Sequence, residues 1–337
     1  MPEFITSTSQ ITTLWLNDVL QSGGMLADAV IEAVEVNTSA AATGDSARVF
    51  LKYSTRKPNR GPASVIVKIC RLENETAFYR HIAPTLPNAY LVPAYATDFY
   101  HHDSIGYLIL EDLSSTHRLL SRNTLPTADE TLAAVSTLAE VHATWWDHPD
   151  LDSKIGAVAA DIPGLLFAVA SDNFASFVDE ASNDLVATHR SVLESVLSRQ
   201  LTEGLKRKRC RSIVHGDAHM WNVLFPRDPQ QHCAVWIDWA VWHVNLAVTD
   251  LSYLCIVTPR DWRRQHEEAL LRHYLDTLQR RGIEYSWQEM WMDYRITALA
   301  QLLWPVFWFA KGRPFWRRCL RNSIDAAEDL NLVELLR

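Results

Sequence analysis

The chain has 337 residues, 48% of them hydrophobic, and exceeds the size at which a single core keeps growing, so two domains are expected. Its 32 Lys and Arg against 40 Asp and Glu leave a net charge of −8, and no basic stripe interleaved with aromatics marks a nucleic-acid surface, so no nucleic-acid partner is expected. The opening MPEFITSTSQ has no secretory pattern, the longest apolar stretch (near residues 298–310) is too short to span a bilayer, and five scattered cysteines read as reduced thiols, so a cytoplasmic protein with no membrane partner is expected.

Residues 30–54 have the form strand, small-residue turn, strand, as in a loop that covers phosphate. The turn holds a single glycine, Gly44, and the candidate contacts are Gly44 with the backbone amides of Asp45 and Ser46; a plain hairpin turn is the alternative, since no fuller glycine-rich pattern or Walker A motif occurs. Next, ASVIVKIC (63–70) is a β-branched run with one interior cation, Lys68, which is costly to bury unless paired. A helix is expected at 72–83, with Phe78, Tyr79 and Ile82 as its apolar stripe and Glu75 as the partner of Lys68, Glu73 being the competitor. The segment GYLILEDLSS (106–115) reads as a buried strand opening into a polar connection, where Asp112 is placed to cap the turn after it.

Beyond it the pattern is mostly helical. Residues 126–146 put Leu132, Val135, Leu138, Val141 or His142, and Trp145 on one face, which makes His142 a core histidine rather than a catalyst. Further amphipathic segments run through 173–205, 262–281, 287–309 and 314–336. Between them lies HGDAHMWNVLF (215–225), followed by the turn PRDPQQ and the apolar run AVWID (234–238). An Asp five residues before an Asn lets one tight loop offer the Asp217 carboxylate to a hydroxyl while Asn222 turns its carbonyl oxygen toward a metal. The hairpin formed by 223–225 and 234–238 then brings Asp238 close to Asn222. Phosphoryl transfer from ATP asks for this kind of positioning and charge neutralisation more than for covalent help. Mg²⁺ takes oxygen ligands and keeps several waters, so one carboxylate, one amide and the ATP phosphates suffice. His215 and His219 flank Asp217, but no CxxC, HExxH or third ligand group accompanies them as zinc would require. Of the 13 tryptophans, Trp239 and Trp242 are either core or walls for a flat acceptor, and His219 either supports the site or lies on the surface.

These motifs resemble the aminoglycoside phosphotransferase and choline kinase superfamily, whose loop reads HGD-x-x-x-x-N, here His215-Gly216-Asp217 to Asn222. ENETAFYR (73–80), LILEDL (108–113) and TDLSYL (249–254) look most like its ecdysteroid-kinase-like, CHK-type branch. The resemblance implies an α+β, two-lobed, protein-kinase-like fold: a small β-rich nucleotide-binding N-lobe over 1–112, and a larger helical C-lobe over 113–337 with the catalytic loop, metal site and acceptor pocket. It implies that Lys68 with Glu75 holds the α- and β-phosphates of ATP, that the backbone at Glu111 and Leu113 binds adenine, that His215 braces the loop, and that Asp250 supports it from behind. The activity implied is Mg²⁺- and ATP-dependent transfer to a hydroxyl of a small-molecule acceptor, whether amino sugar, choline-like or sterol-like alcohol; GTP use and the oligomeric state stay open. Trp239-Ala240 follows Asp238 in place of Phe-Gly and no APE-like segment occurs before Asp250, which speaks against a protein substrate. A catalytically silent nucleotide-binding module is the rival from another class.

Overall fold

Strand periodicity builds a five-stranded antiparallel sheet in the order β1-β2-β3-β5-β4, from β1 (Ile31–Thr38), β2 (Asp45–Tyr53), β3 (Ser64–Cys70), β4 (Ala94–Tyr100) and β5 (Ile105–Glu111). The structure is a computed structural model and describes residues 4–26, 29–38, 45–54, 61–121, 124–198, 208–230 and 232–336. In β3, Val65, Val67 and Ile69 are buried together on one face with Val49, Tyr107 and Ile109. Against them packs a helix absent from the expected elements, α1 (Thr13–Ser22), capped by the Thr12 hydroxyl, which accepts from Trp15 N. It brings Trp15, Leu16, Val19 and Leu20 into the same core. Because side chains alternate along a strand, this burial of the odd-numbered residues turns Lys68 to the opposite face of the sheet. There the chain continues as α2 (Glu73–Ala77) and a π-helical turn (Phe78–Ile82).

Contacts divide the chain into two compact units, one comprising Met1–Leu119 with Leu224–Ala240, the other Leu120–Val223 with Val241–Arg337. The segment carrying Asp238 thus belongs with the N-terminal sheet, whereas the sequence reading gave everything after residue 112 to one lobe. A small sheet, β6 (His117–Arg118), β8 (Val223–Pro226) and β9 (Val235–Trp236), ties this segment in, with Arg118 opposite Phe225. The strand expected over 234–238 is therefore shorter: Asp238 takes φ 65° and ends the extension.

The second unit is helical around one two-stranded ladder, β7 (Arg211–Val214) with β10 (His243–Leu246). Its first long helix, α3 (Ala128–Thr144), starts at a reciprocal capping box of Thr127 and Glu130 and buries Ala134, Val135, Leu138, Val141 and His142, a stripe at i, i+1, i+4, i+7 and i+8. The segment expected over 173–205 is two helices, α4 (Ile162–Glu180) and α5 (Ala187–Ser198), and residues 199–207 lie outside the described ones. After them come α6 (Thr249–Ile256) and α7 (Arg260–Arg280). The long segment 287–309 is also divided, into α8 (Trp287–Gln301) and α9 (Trp304–Ala310), because Pro305 has no N–H and clashes inside a helix but fits its first turn. The last segment is α10 (Trp316–Asp329) and a short 3₁₀ turn, Leu332–Leu336, separated by Asn331 at φ 49°. Among the described residues no helix is long and apolar enough to cross a membrane.

Trp15 is 1% exposed and meets Tyr107 edge to face at 5.3 Å, so it holds α1 to the sheet. Trp15→Ala should cost about 3–5 kcal/mol, read from the urea midpoint; a change below about 1 kcal/mol, the size of a surface substitution, would contradict this packing role.

Candidate active site

The Lys68 ammonium lies 2.6 Å from Glu75 Oε2 and 2.7 Å from Asp238 Oδ1, one cation against two carboxylates. Burial pulls the lysine's pKa down, but the attraction of Glu75 and then Asp238 outweighs it and holds the group charged, above its usual value. Glu75 is 3% exposed, and burial pushes its pKa up while Lys68 opposes that. The competing Glu73 instead faces His101 Nδ1 at 3.4 Å on the surface. Cys70, 3.9 Å from Glu75, has its thiol pushed up by burial and by that carboxylate, so it is an inert neighbour rather than a nucleophile.

Asp238 owes its position to a clamped turn. Asn74 Nδ2 donates to Ala240 O at 3.0 Å, Trp239 Nε1 donates to Trp236 O at 3.1 Å, and the Trp239 ring stacks on Phe78 at 4.1 Å with 9° between planes. A positive φ is uncommon outside glycine, and Asp tolerates it better than most residues when its surroundings over-determine the turn. Trp239 is fully buried by these contacts, and so is Trp242. Of the two readings open for these rings, core or acceptor wall, their burial supports core packing.

In the helical unit, the ladder pairs His243 with Val214 and so sets the start of the Asp217 loop. Gly216 has φ 82°, and a Cβ there would come within 2.3 Å of Val241 O, so only glycine fits. Behind the loop, the fully buried Asp250 accepts from His215 N at 2.6 Å and Gly216 N at 2.9 Å, with His142 Nε2 at 3.2 Å. His142 is in turn 2.8 Å from the Tyr274 hydroxyl through its other ring nitrogen. Burial pushes the Asp250 carboxyl up, and the bonds from His142 and the loop amides bring it below the usual value.

Asp217 N donates to His215 Nδ1 at 3.2 Å, which folds the histidine over the loop's first turn. The Asp217 carboxylate meets His219 Nε2 at 3.4 Å and Asn222 Nδ2 at 3.2 Å, and the Tyr253 hydroxyl bonds it from α6. Burial alone would raise its pKa; His219, His215 and Tyr253 overcome that and hold it at about 2. A carboxylate this acidic stays ionised and is a weak base, suited to aligning a hydroxyl and taking its proton as the proton becomes acidic. Asn222 also gives its amide N–H to Asp217 O at 3.1 Å, so its side-chain nitrogen is committed and its oxygen is the atom left for a cation. Among the described residues no group of three or more His, Cys, Asp or Glu suits a metal. The available donors are instead one amide oxygen, on Asn222, and one carboxylate, on Asp238. Each, within its own unit, is an oxygen donor of the kind that suits Mg²⁺, which takes few protein ligands beside substrate phosphates.

The remaining predicted residues lie along the sheet. Gly44 is outside the described residues. Asp45 accepts from Thr8 N at 3.0 Å and from the Thr8 hydroxyl, which ties it to the N-terminal segment, and Ser46 stands opposite Lys68 in the register. Glu111 N donates to Pro93 O at 2.9 Å, so its amide is already used. Asp112 caps the 3₁₀ turn Leu113–Ser115 through Ser114 N at 3.0 Å and also receives Arg48 Nε at 2.6 Å. Sequence reasoning missed Tyr253, the Lys68–Asp238 contact and the link from His142 to Asp250. Tyr253 was within reach, since it follows Asp250 by three residues on a helix and so shares its face.

A sheet whose strand β3 pairs its lysine with a helix glutamate, and a helical unit with an HGD-to-Asn loop, define the fold as protein-kinase-like. The sequence matches the phosphotransferase enzyme family over residues 41–288, more than half its length, and the chain belongs to that family. Similar solved structures include a choline kinase from Streptococcus pneumoniae, 18% identical with TM-score 0.50, covering 89% of this chain and 94% of that one. A choline kinase from Cryptosporidium parvum is 12% identical with TM-score 0.54, covering 90% of each chain. A macrolide 2′-phosphotransferase from Brachybacterium faecium is 13% identical with TM-score 0.51, covering 91% of this chain and 97% of that one. No curated protein matches the sequence.

Removing the Asp250 carboxylate strands two buried amides and a histidine, so Asp250→Ala should cost about 3–5 kcal/mol, seen as a lower melting temperature; an unchanged one would contradict the anchor role. The Asp217 pKa is lowered from 3.8 to about 2, so its ionised form favours the fold; that contribution is complete above 3.8 and is lost as pH falls through about 2. Asp217→Asn should therefore show a shallower loss of stability than the parent over that window in acid titration, and parallel curves would refute the shift.

Proposed function

We propose that the protein is an ATP-dependent small-molecule kinase that transfers the γ-phosphoryl group to a hydroxyl of a small organic acceptor. The observation that carries the reading is the Asp217 loop: an ionised carboxylate, partly open to solvent, is aligned by Asn222 and His219 and fixed from behind by Asp250. Asp217 orients the acceptor hydroxyl and takes its proton. Lys68, held charged by Glu75, contacts the α- and β-phosphates, and the segment from Gly44 to Ser46 covers them. The backbone at Glu111 and Leu113 is the adenine contact; with the Glu111 amide bound to Pro93, its carbonyl is the atom offered. Mg²⁺, when bound, neutralises phosphate charge and orients the triphosphate; the Asn222 side-chain oxygen and the Asp238 carboxylate would hold it. His219 and Tyr253 keep Asp217 ionised. The segments 73–80, 108–113 and 249–254 support a place in the ecdysteroid-kinase-like branch, and cytosolic ATP supports a cytoplasmic location.

One observation favours a second reading, a nucleotide-binding module without turnover: Lys68 already claims Asp238 Oδ1 at 2.7 Å, where a cation would bind. Calorimetry separates the two. For a kinase, Mg²⁺ tightens ATP binding, Asp238→Ala removes that gain, and Asp217→Asn lowers kcat by about 10²–10⁴ with ATP affinity kept. Unchanged kcat in the Asp217 variant would remove it from the proton-accepting role, and Mg²⁺-independent ATP binding would refute the metal assignment.

A further inference from the structure

Beside the Asp217 loop, within the helical unit, lies a recess that includes Gly216 in its lining. Its polar lining comes from Thr249, Thr297, Asn245, His243 and Gln301, and its apolar wall includes Pro163, Leu166 and Trp304. Gly216 places the recess one residue from the carboxylate proposed to align the acceptor. The Trp304 ring packs on Tyr253 at 5.7 Å, and the Tyr253 hydroxyl bonds Asp217, which links the recess wall to the carboxylate.

The chemistry of the lining is specific. No Asp, Glu, Lys or Arg is among the described residues that line it. Burial lowers the pKa of His243, so the ring stays neutral near pH 7, and it lies 3.3 Å from Asn245 Nδ2. Gln301 accepts from Trp304 Nε1 at 2.6 Å and donates to Ser252 Oγ at 3.4 Å, which fixes its amide. The hydroxyl of Thr249 is different: it is buried, on a residue 7% exposed, and has no partner among the described residues. Buried hydroxyls are nearly always hydrogen-bonded, and an unpaired one costs about 1–3 kcal/mol. The carboxylates that act on His243 from outside the lining are first Asp250, whose charge is already taken up by the His215 and Gly216 amides and by His142, and then the exposed Asp161, whose Oδ1 caps α4 by accepting from Gly164 N at 2.9 Å.

We propose that this recess is the acceptor's recognition subsite and that it takes an uncharged polar group, a hydroxyl or amide on an apolar body, with Thr249 as its hydrogen-bond partner. This rests on the kinase reading and adds the substrate class: neutral hydroxylated compounds, in preference to amino sugars and quaternary or primary amines. A cation in this recess would leave water for a lining with no countercharge, which is unfavourable. A neutral hydroxyl or amide gains the bond that Thr249 lacks.

The test is a Mg²⁺- and ATP-dependent phosphorylation assay on matched pairs: inositol against an aminocyclitol, N-acetylglucosamine against glucosamine, and a neutral primary alcohol against choline. Parent, Asp217→Asn, Thr249→Val and Thr249→Ser proteins are compared. The expected result is at least ten-fold higher kcat/KM for the neutral member of each pair that is turned over. Thr249→Val should raise acceptor KM about ten-fold, the worth of one hydrogen bond, leaving ATP KM and kcat unchanged, and Thr249→Ser should restore it. Preference for the cationic member, or an unchanged acceptor KM in Thr249→Val, overturns the inference while Asp217-dependent transfer keeps the kinase reading. No Asp217-dependent transfer to any member overturns the kinase reading, and the subsite with it.

Discussion

Everything about the Asp217 loop depends on one buried carboxylate. Asp250 is wholly removed from solvent, and an isolated charge there would cost several kcal/mol. It is held ionised by two loop amides and the His142 ring, and that requirement is what shapes the loop. Accepting from consecutive amides, on His215 and Gly216, forces the backbone into a turn that glycine alone can make beside Val241 O. The turn delivers Asp217 to the surface with His215 folded beneath it. Local backbone conformation, a buried charge and the position of the Asp217 carboxylate are thus one arrangement.

The same logic governs Lys68 in the sheet unit. Strand alternation places it away from the apolar face packed on α1, so its chain is partly buried but its ammonium has no core to enter. Glu75 alone would neutralise it. Asp238 adds a second negative charge, leaving the cluster of three one unit negative. On the proposed kinase reading, phosphate oxygens would replace the carboxylate as the lysine's partner and leave Asp238 for a divalent cation.

The sequence was most legible where a residue pattern has a single physical solution. The spacing from His215 to Asn222 pointed to a tight loop because an Asp five residues before an Asn lets one turn present both side chains, and Lys68 with Glu75 followed from the cost of an unpaired buried cation. Long helices were clear in type and wrong in length. Pro305 and Asn331 interrupt apolar patterns that run on past them. Trp239 and Trp242 were ambiguous because aromatic side chains serve cores and ligands alike; only the stack on Phe78 and complete burial decide it. The pairing of Asp238 with Lys68 is a contact across 170 residues, and the helix α1 that fixes the sheet's other face carries no functional motif to draw attention to it. Neither can be read from local pattern.

The most direct measurement of the central claim is transfer of the γ-phosphoryl group of labelled ATP to a small hydroxylated acceptor, followed by mass spectrometry of the product in the parent and in Asp217→Asn. The account predicts a phosphorylated acceptor in the parent and its near-complete loss in the variant, with nucleotide binding equal in both. Equal product from the two proteins, or ATP bound tightly with no acceptor phosphorylated by either, would contradict it.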